Sequence, residues 1–302
     1  MWPILARFAL TGIAGLYCLK MTALDRFTVR YWGVRGSVPT PGPTTARYGG
    51  NTTCLEVRCG NHLVIIDAGS GIRALGVELA ATNKAIDAHM LFSHLHWDHI
   101  QGFPFFAPAF VAGNTLHAWC ERHVGQALKD ALIRQMAPPL FPIAFDAIAA
   151  DLRFHDILPN SEFNIGDLHI QTAPLHHPGG ATAFRFNYKG KSFVQATDHE
   201  HTDELHQPLV DLARGADYLS YDAMYTDAEY RGDHGAGHAG WGHSTWQEAC
   251  KMANATSVKN LILFHHNPDH SDDMMDEIGA LAAQRFSNTH VAYEGMVIDL
   301  LS

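Results

Sequence analysis

Residues 91–106 read LFSHLHWDHIQGFPFF and set His94, His96, Asp98 and His99 within six positions, directly after the apolar run Met90, Leu91 and Phe92. If residues 88–93 form a buried strand, the chain leaving it is still extended. Residues two apart then point the same way, and His94 and His96 converge on one point. Asp98 and His99 follow where the chain turns, within reach of a second point nearby. Imidazole nitrogens with a hard carboxylate suit a divalent metal, zinc first, with manganese or iron as alternatives. The chain holds 21 histidines in 302 residues, so clusters arise by accident. Even so, one H-x-H-x-D-H by chance has odds on the order of one in a hundred. The motif reads as half of a two-metal shell.

Three later stretches share one form, an apolar or strand-like run that ends in a ligand-type residue. They are LHHPGG with His176 and His177, FVQATDHEH with Asp198, and LILFHHNPDH with His265 and His266. Strand ends on one edge of a sheet lie side by side, so residues far apart in sequence can meet there. A carboxylate can bridge two cations, and Asp198 is the candidate. The expected grouping is His94, His96, His177 and Asp198 around one metal, and Asp98, His99, Asp198 and His265 around the other. A single histidine at a strand end is more often a satisfied structural residue, and each doublet leaves its choice open. Upstream, residues 63–66 run into Asp67 and the Gly-rich turn AGSG. Asp67 is expected either to orient a ligand near the metals or to cap the turn.

The surrounding pattern is that of an α/β protein. Strands are expected at residues 27–34, 52–58, 62–66, 168–173, 183–188, 192–196 and 260–264, with Gly60 and Asn61 in a hairpin turn. Helices are expected at 72–81, 121–135, 245–255 and 272–286, and a further helical turn at 144–150. Pro138 and Pro139 close the second helix. The Phe- and Pro-rich residues 101–110 either wall a substrate pocket or pack in the core. Strands, helix, then strands and helix again imply two sheets with helices outside them.

With H-L-H-W-D-H at 94–99, IDAGSG at 66–71, HPGG at 177–180, ATD at 196–198 and FHH at 264–266, the chain resembles the metallo-β-lactamase-fold hydrolases. The resemblance covers roughly residues 27–273 and implies a four-layer αββα sandwich with two divalent ions. It also resolves the doublets in favour of His177 and His265. GHST at 242–245, followed by a helix and LILFHH, resembles the ribonuclease Z and cyclic-phosphodiesterase branch. There the histidine matching His243 assists the transition state or the leaving group; the bland alternative is a helix-start residue beside a Ser244 cap. The basic, Gly-rich tRNA-clamping arm of ribonuclease Z is not evident.

Composition bounds the partners. A formal charge of -10, from 31 acidic and 21 basic residues, argues against a broad footprint for duplex nucleic acid. The five scattered cysteines contain no C-x-x-C pair, and a reducing, cytoplasmic compartment is expected. Residues 1–20 form an apolar extension interrupted by Arg7, read as sequence upstream of a natural start at Met21; a membrane anchor would require their insertion. One hydrolase domain is expected over residues 21–302, and a homo-oligomer is compatible with the sequence. The expected activity is hydrolysis of a small or cyclic phosphodiester by a metal-bridging hydroxide, with Asp98 and His243 as catalytic residues. The rivals are a lactone, β-lactam or thioester hydrolase on the same metals, and a di-iron redox or non-catalytic ligand-binding protein.

Overall fold

Alternation in FTVRYWG buries Phe27, Val29 and Tyr31 and builds the first strand, β1 (Phe27–Gly33), of a computed structural model that describes residues 26–121 and 127–302. The apolar extension expected over residues 1–20 lies outside the described residues. Antiparallel to β1 runs β2 (Cys54–Cys59), which turns into β3 (His62–Ile66). At that turn Gly60 takes the left-handed conformation (φ 54°) and Asn61 does not. Beyond β3 the sheet continues with parallel strands β4 (Asp87–Phe92), β5 (Thr115–Glu121) and β6 (Asp151–Ile157).

A second sheet repeats this plan. Its strands β7 (Glu162–Ile165), β8 (Leu168–Leu175), β9 (Ala181–Tyr188) and β10 (Lys191–Ala196) are antiparallel. Then β11 (Tyr218–Asp222), β12 (Asn260–Phe264) and β13 (Thr289–Val291) add in parallel. The last strand, β14 (Val297–Asp299), returns to pair with β1, so that among the described residues each sheet has seven strands.

Helices cover both outer faces because parallel strands need crossovers. The first sheet carries α1 (Ile72–Ala81), the single turn α2 (Trp97–Ile100) and α3 (Leu128–Gln135). The second is followed by α4 (Gln207–Ala213), α5 (Asp227–Arg231), α6 (Trp246–Thr256) and α7 (Asp272–Arg285). In α1 the buried residues Ile72, Leu75, Gly76 and Leu79 recur at helical spacing. Each large apolar side chain of that stripe contributes roughly 1.5–3 kcal/mol by burial.

Three apolar layers result. Ile65, Met90 and Phe92 face α1 and α3; Val64, Ile66, Leu91, Phe186 and Phe264 fill the space between the sheets; Leu219, Leu261 and Leu263 face α4, α6 and α7. This is the expected αββα sandwich.

Three local expectations change. Residues 121–135 are not one helix: Glu121 ends β5, and α3 begins at Leu128. The cap of α6 is Thr245, whose side chain accepts from Glu248 N, rather than Ser244. The turn expected at 144–150 is a 3-10 turn at Phe145–Ala147; Phe103, in a short 3-10 turn, and Phe106, between it and the next, are buried as the core-packing reading had them.

The carboxyl ends of β3, β4, β8, β10, β11 and β12 open on one edge of the sandwich, where residues that follow each strand meet. Ligand sites of α/β sheets lie at such edges.

Candidate metal centre

The first motif leaves β4 extended through His96 and then turns into α2, with Asp98 and His99 in its only turn. His94, His96, His177 and Asp198 thereby form one group, and Asp98, His99, Asp198 and His265 another; within each, one donor atom per residue lies within 4.8 Å of the others. Asp198 belongs to both groups, and its two oxygens divide between them. Oδ2 lies 3.6 Å from His94 Nε2 and 3.6 Å from His177 Nε2. Oδ1 lies 3.1 Å from His99 Nε2 and 3.2 Å from His265 Nε2. Asp98 Oδ2 completes the second group, 3.4 Å from both His99 Nε2 and His265 Nε2.

Metal ligation is what these atoms fit. His94 Nε2, His99 Nε2 and His265 Nε2 are buried and make no hydrogen bond, although carboxylate oxygens stand within 3.6 Å. Buried polar atoms without partners are costly in a native interior. A dication in each group would satisfy all three, and the donor set of imidazole and carboxylate suits zinc. The far ring nitrogens are tied back. His99 Nδ1 donates to Asp67 Oδ2 at 2.8 Å, and His177 Nδ1 donates to the Gly242 carbonyl at 2.8 Å. In the neutral ring each bond leaves Nε2 as the lone-pair nitrogen facing the centre. His96 presents Nδ1, 2.9 Å from His177 Nε2.

Backbone geometry pays tribute to the same point: Asp67, Asp198 and His265 all take left-handed φ values of 60°, 57° and 61°. Such conformations cost non-glycine residues of order 1–3 kcal/mol and cluster at functional sites. The loop after β1 closes around Asp98, whose Oδ2 accepts from Ser37 N at 2.8 Å. Beside it the buried Arg35 donates to the carbonyls of Gly49, Asn267 and His270, holding the loops on either side of the centre together.

Electrostatics favour cations here. Burial would raise Asp98 and Asp198, yet the facing histidines, His99 and His265 among them, hold both carboxyls well below their usual range. Burial pushes His94 well down and lowers His177, so both are neutral, as ligands must be. His99 is raised well above its usual value because Asp198, Asp98 and Asp67 outweigh burial. That negative field equally attracts a divalent ion.

Of the doublets, only His177 and His265 join the groups. His176 packs its ring on His206, centroids 4.0 Å apart. His266 donates from Nε2 to the Ala292 carbonyl at 2.8 Å, and burial pushes it down to about 3. His243 lies over the second group, its ring stacked on His265 at 5.0 Å. Its Nδ1 donates to Asp222 Oδ2 at 2.9 Å. Burial alone would lower it, but Asp222, with Asp198 and Asp98 behind, pushes it up to about 9.

Sequence reasoning missed Asp222, Ser37 and Gly242. Asp222 had a signal, since YLSYD is another strand-like run ending in a carboxylate. The expected orienting role of Asp67 matches its bonds to His99 and to Ser93 N. At the rim, Trp97 is 70% exposed between His96 and Asp98. With Leu95, Phe105, Leu140 and Phe141 it lines a cavity of about 780 Å³. Cys54, Cys59, Cys120 and Cys250 are unpaired and buried, and none of them belongs to either group.

This site and sandwich define a class, and comparison with known proteins agrees. The beta-lactamase superfamily domain matches residues 62–266, and the chain belongs to that superfamily. Among individual proteins, it is 21% identical to ribonuclease Z of Pyrococcus furiosus over 296 residues, covering 80% of this chain and 87% of that one. The metallo-beta-lactamase fold protein YhfI of Bacillus subtilis superposes with a TM-score of 0.69 at 18% identity, covering 91% of this chain and 99% of that one. A diphosphatase from the PhnP family gives 0.67 at 17% identity, covering 90% and 97%. Among the described residues, no helix is long and apolar enough to cross a membrane.

Proposed function

We propose that the protein is a dinuclear metal-dependent phosphodiesterase. The observation that carries this reading is Asp198, whose two oxygens face separate donor groups as a bridging carboxylate would. His94, His96 and His177 would hold one ion with Asp198 Oδ2; Asp98, His99 and His265 would hold the other with Asp198 Oδ1. Such a pair of ions supplies an activated water near neutral pH and stabilises charge on the attacking and leaving oxygens.

The chain's own residues do the rest. Asp98 and Asp198 cancel two of four positive charges, which leaves a centre suited to a phosphodiester monoanion and less to a neutral ester. His243, anchored at Nδ1 by Asp222, is held as a cation, with Nε2 as its remaining donor toward the leaving oxygen or a phosphoryl oxygen. Asp67 and the Gly242 carbonyl keep His99 and His177 in the tautomers that ligation needs.

A small or cyclic phosphodiester is the substrate class proposed. Its curated relatives are ribonucleases by name, so RNA belongs in the test. A panel of bis-p-nitrophenyl phosphate, a cyclic nucleotide, a short RNA, a phosphomonoester, a lactone and a thioester, run on metal-loaded protein, is expected to give turnover on the diesters. Turnover confined to the lactone or thioester overturns the proposal.

A further inference from the structure

The chain just beyond Asp198 carries a carboxylate that the reaction does not use. Glu200 reaches across to residues 240–242 of the Gly-rich segment that precedes α6. Its Oε1 accepts from Gly240 N at 2.5 Å and from the Tyr230 hydroxyl at 2.6 Å, and its Oε2 accepts from Gly242 N at 2.8 Å. Gly240 and Gly242 have φ of 84° and 89°, so this segment follows a path that few other residues adopt. A Cβ at Gly242 would collide with the His177 ring and Pro178. The segment is therefore pressed against the imidazole and depends on outside bonds for its position.

Gly242 is held from one side and acts on the other. Its N–H is fixed by Glu200, while its carbonyl accepts from His177 Nδ1 at 2.8 Å. One residue further on, His243 and Ser244 are bonded to Asp222. Two carboxylates on neighbouring strand ends, Glu200 after β10 and Asp222 at the end of β11, thus pin the same short segment from two directions.

We propose that Glu200 is a positioning residue of the metal centre: it holds Gly242 where the carbonyl fixes His177 with Nε2 turned toward the ion. The inference rests on His177 being a ligand, as proposed above. A glutamine at this position cannot reproduce the bonds. Its amide must face either Gly242 N–H, or Gly240 N–H and the Tyr230 hydroxyl, with a donor, so at least one backbone N–H is released. Either way one of the two backbone bonds that fix residues 240–242 is lost, and the Gly242 carbonyl opposite His177 is held less firmly. Bonds that orient a ligand imidazole affect metal affinity by about 10- to 100-fold.

The test is a zinc titration of the full-length apo-protein against a chromophoric chelator, for wild type, Glu200→Gln, His177→Ala and the double variant, with circular dichroism on each. Expected are two zinc ions bound by wild type, an affinity at one site lowered about 10-fold in Glu200→Gln with the other unchanged, and no further loss when Glu200→Gln is added to His177→Ala. Tyr230→Phe, which removes one donor and leaves both backbone bonds, is expected to lose less than Glu200→Gln. Wild-type affinity at both sites in Glu200→Gln overturns the inference. So does an equal loss at both sites, or an undiminished effect in the His177→Ala background, because either would mean that Glu200 supports the fold and not His177. Failure of wild type to bind two ions would instead remove the reading on which the inference rests.

Discussion

Replacing Asp67 with asparagine changes one oxygen to an amide nitrogen in a fully buried network, and the consequences can be followed bond by bond. Asparagine tolerates the left-handed φ of 60° at this position, so the backbone need not move. Oδ1 accepts from Ser93 N at 2.8 Å, and Oδ2 accepts from His99 Nδ1 at 2.8 Å. If the amide nitrogen takes the Oδ1 position, it faces the Ser93 N–H donor to donor, leaving a buried amide unpaired at a cost of about 1–3 kcal/mol. If it takes the Oδ2 position, it donates to His99 Nδ1, and the ring proton moves to Nε2. There that proton lies beside the Asp198 carboxylate, whose Oδ1 is 3.1 Å away and attracts it by charge, although the contact lacks hydrogen-bond geometry.

The second arrangement costs less and is the one expected. Apo-protein stability should hardly change, while metal binding, which needs Nε2 free and the remaining ring proton on Nδ1, must turn the amide back into its costlier orientation. The expected loss is 10- to 100-fold in affinity for one ion, about 1.4–2.7 kcal/mol. Chelator competition reads the affinity, and thermal unfolding of the apo-protein reads the stability. Unchanged affinity in Asp67→Asn would refute the tautomer argument, and so would a large fall in apo-protein melting temperature.

Three further outcomes follow from other contacts. His243→Asn should bind metal as wild type does but lose about 100-fold or more in kcat on a diester with an alkoxide leaving group; the loss should be smaller with p-nitrophenolate, which departs without a proton, and equal losses would place His243 on the phosphoryl oxygen instead. Gly36→Ala sets a Cβ 2.5 Å from His265 Cε1, and overpacking of about 1–3 kcal/mol should appear as weakened metal binding with displacement of that ring, measured by chelator competition. Despite burial, Glu229 is held at about 2 by its 2.8 Å bond to His270 and by the amide and hydroxyl of Thr226. A depressed carboxyl stabilises the fold above its unfolded pKa and loses that contribution as pH falls through the folded one, so Glu229→Gln should be less stable than wild type at pH 7, and urea unfolding should show the difference fading between about pH 4.5 and 2.

What could be read in the chain and what could not divide along physical lines. The ends of α1, β3 and β12 were legible because strong apolar runs stop at Gly-rich or charged residues. The ligand positions were legible for the same reason, since each follows such a run. β5 escaped because its inward positions, Leu116, Ala118 and Cys120, are small or weakly patterned, and the charged sequence after Glu121 reads on as helix. Asp222 escaped because Ser220 interrupts its strand's apolar run, and nothing local says that its partner is His243, 21 residues away. Gly242 and Ser37 bond through their own backbone atoms, and the Glu200 carboxylate bonds to backbone N–H groups, all brought together only by the fold. The left-handed turns at Asp67, Asp198 and His265 are likewise settled by the convergence of strand ends and not by local preference.

The central claim is that Asp198 joins two ions. Crystals grown with zinc, measured on either side of the zinc absorption edge, test it directly. Two anomalous peaks are expected, about 3.5–4 Å apart, one on each side of the Asp198 carboxylate, the first among His94, His96 and His177 and the second among Asp98, His99 and His265. A single peak, or two peaks that do not share Asp198, would contradict the account.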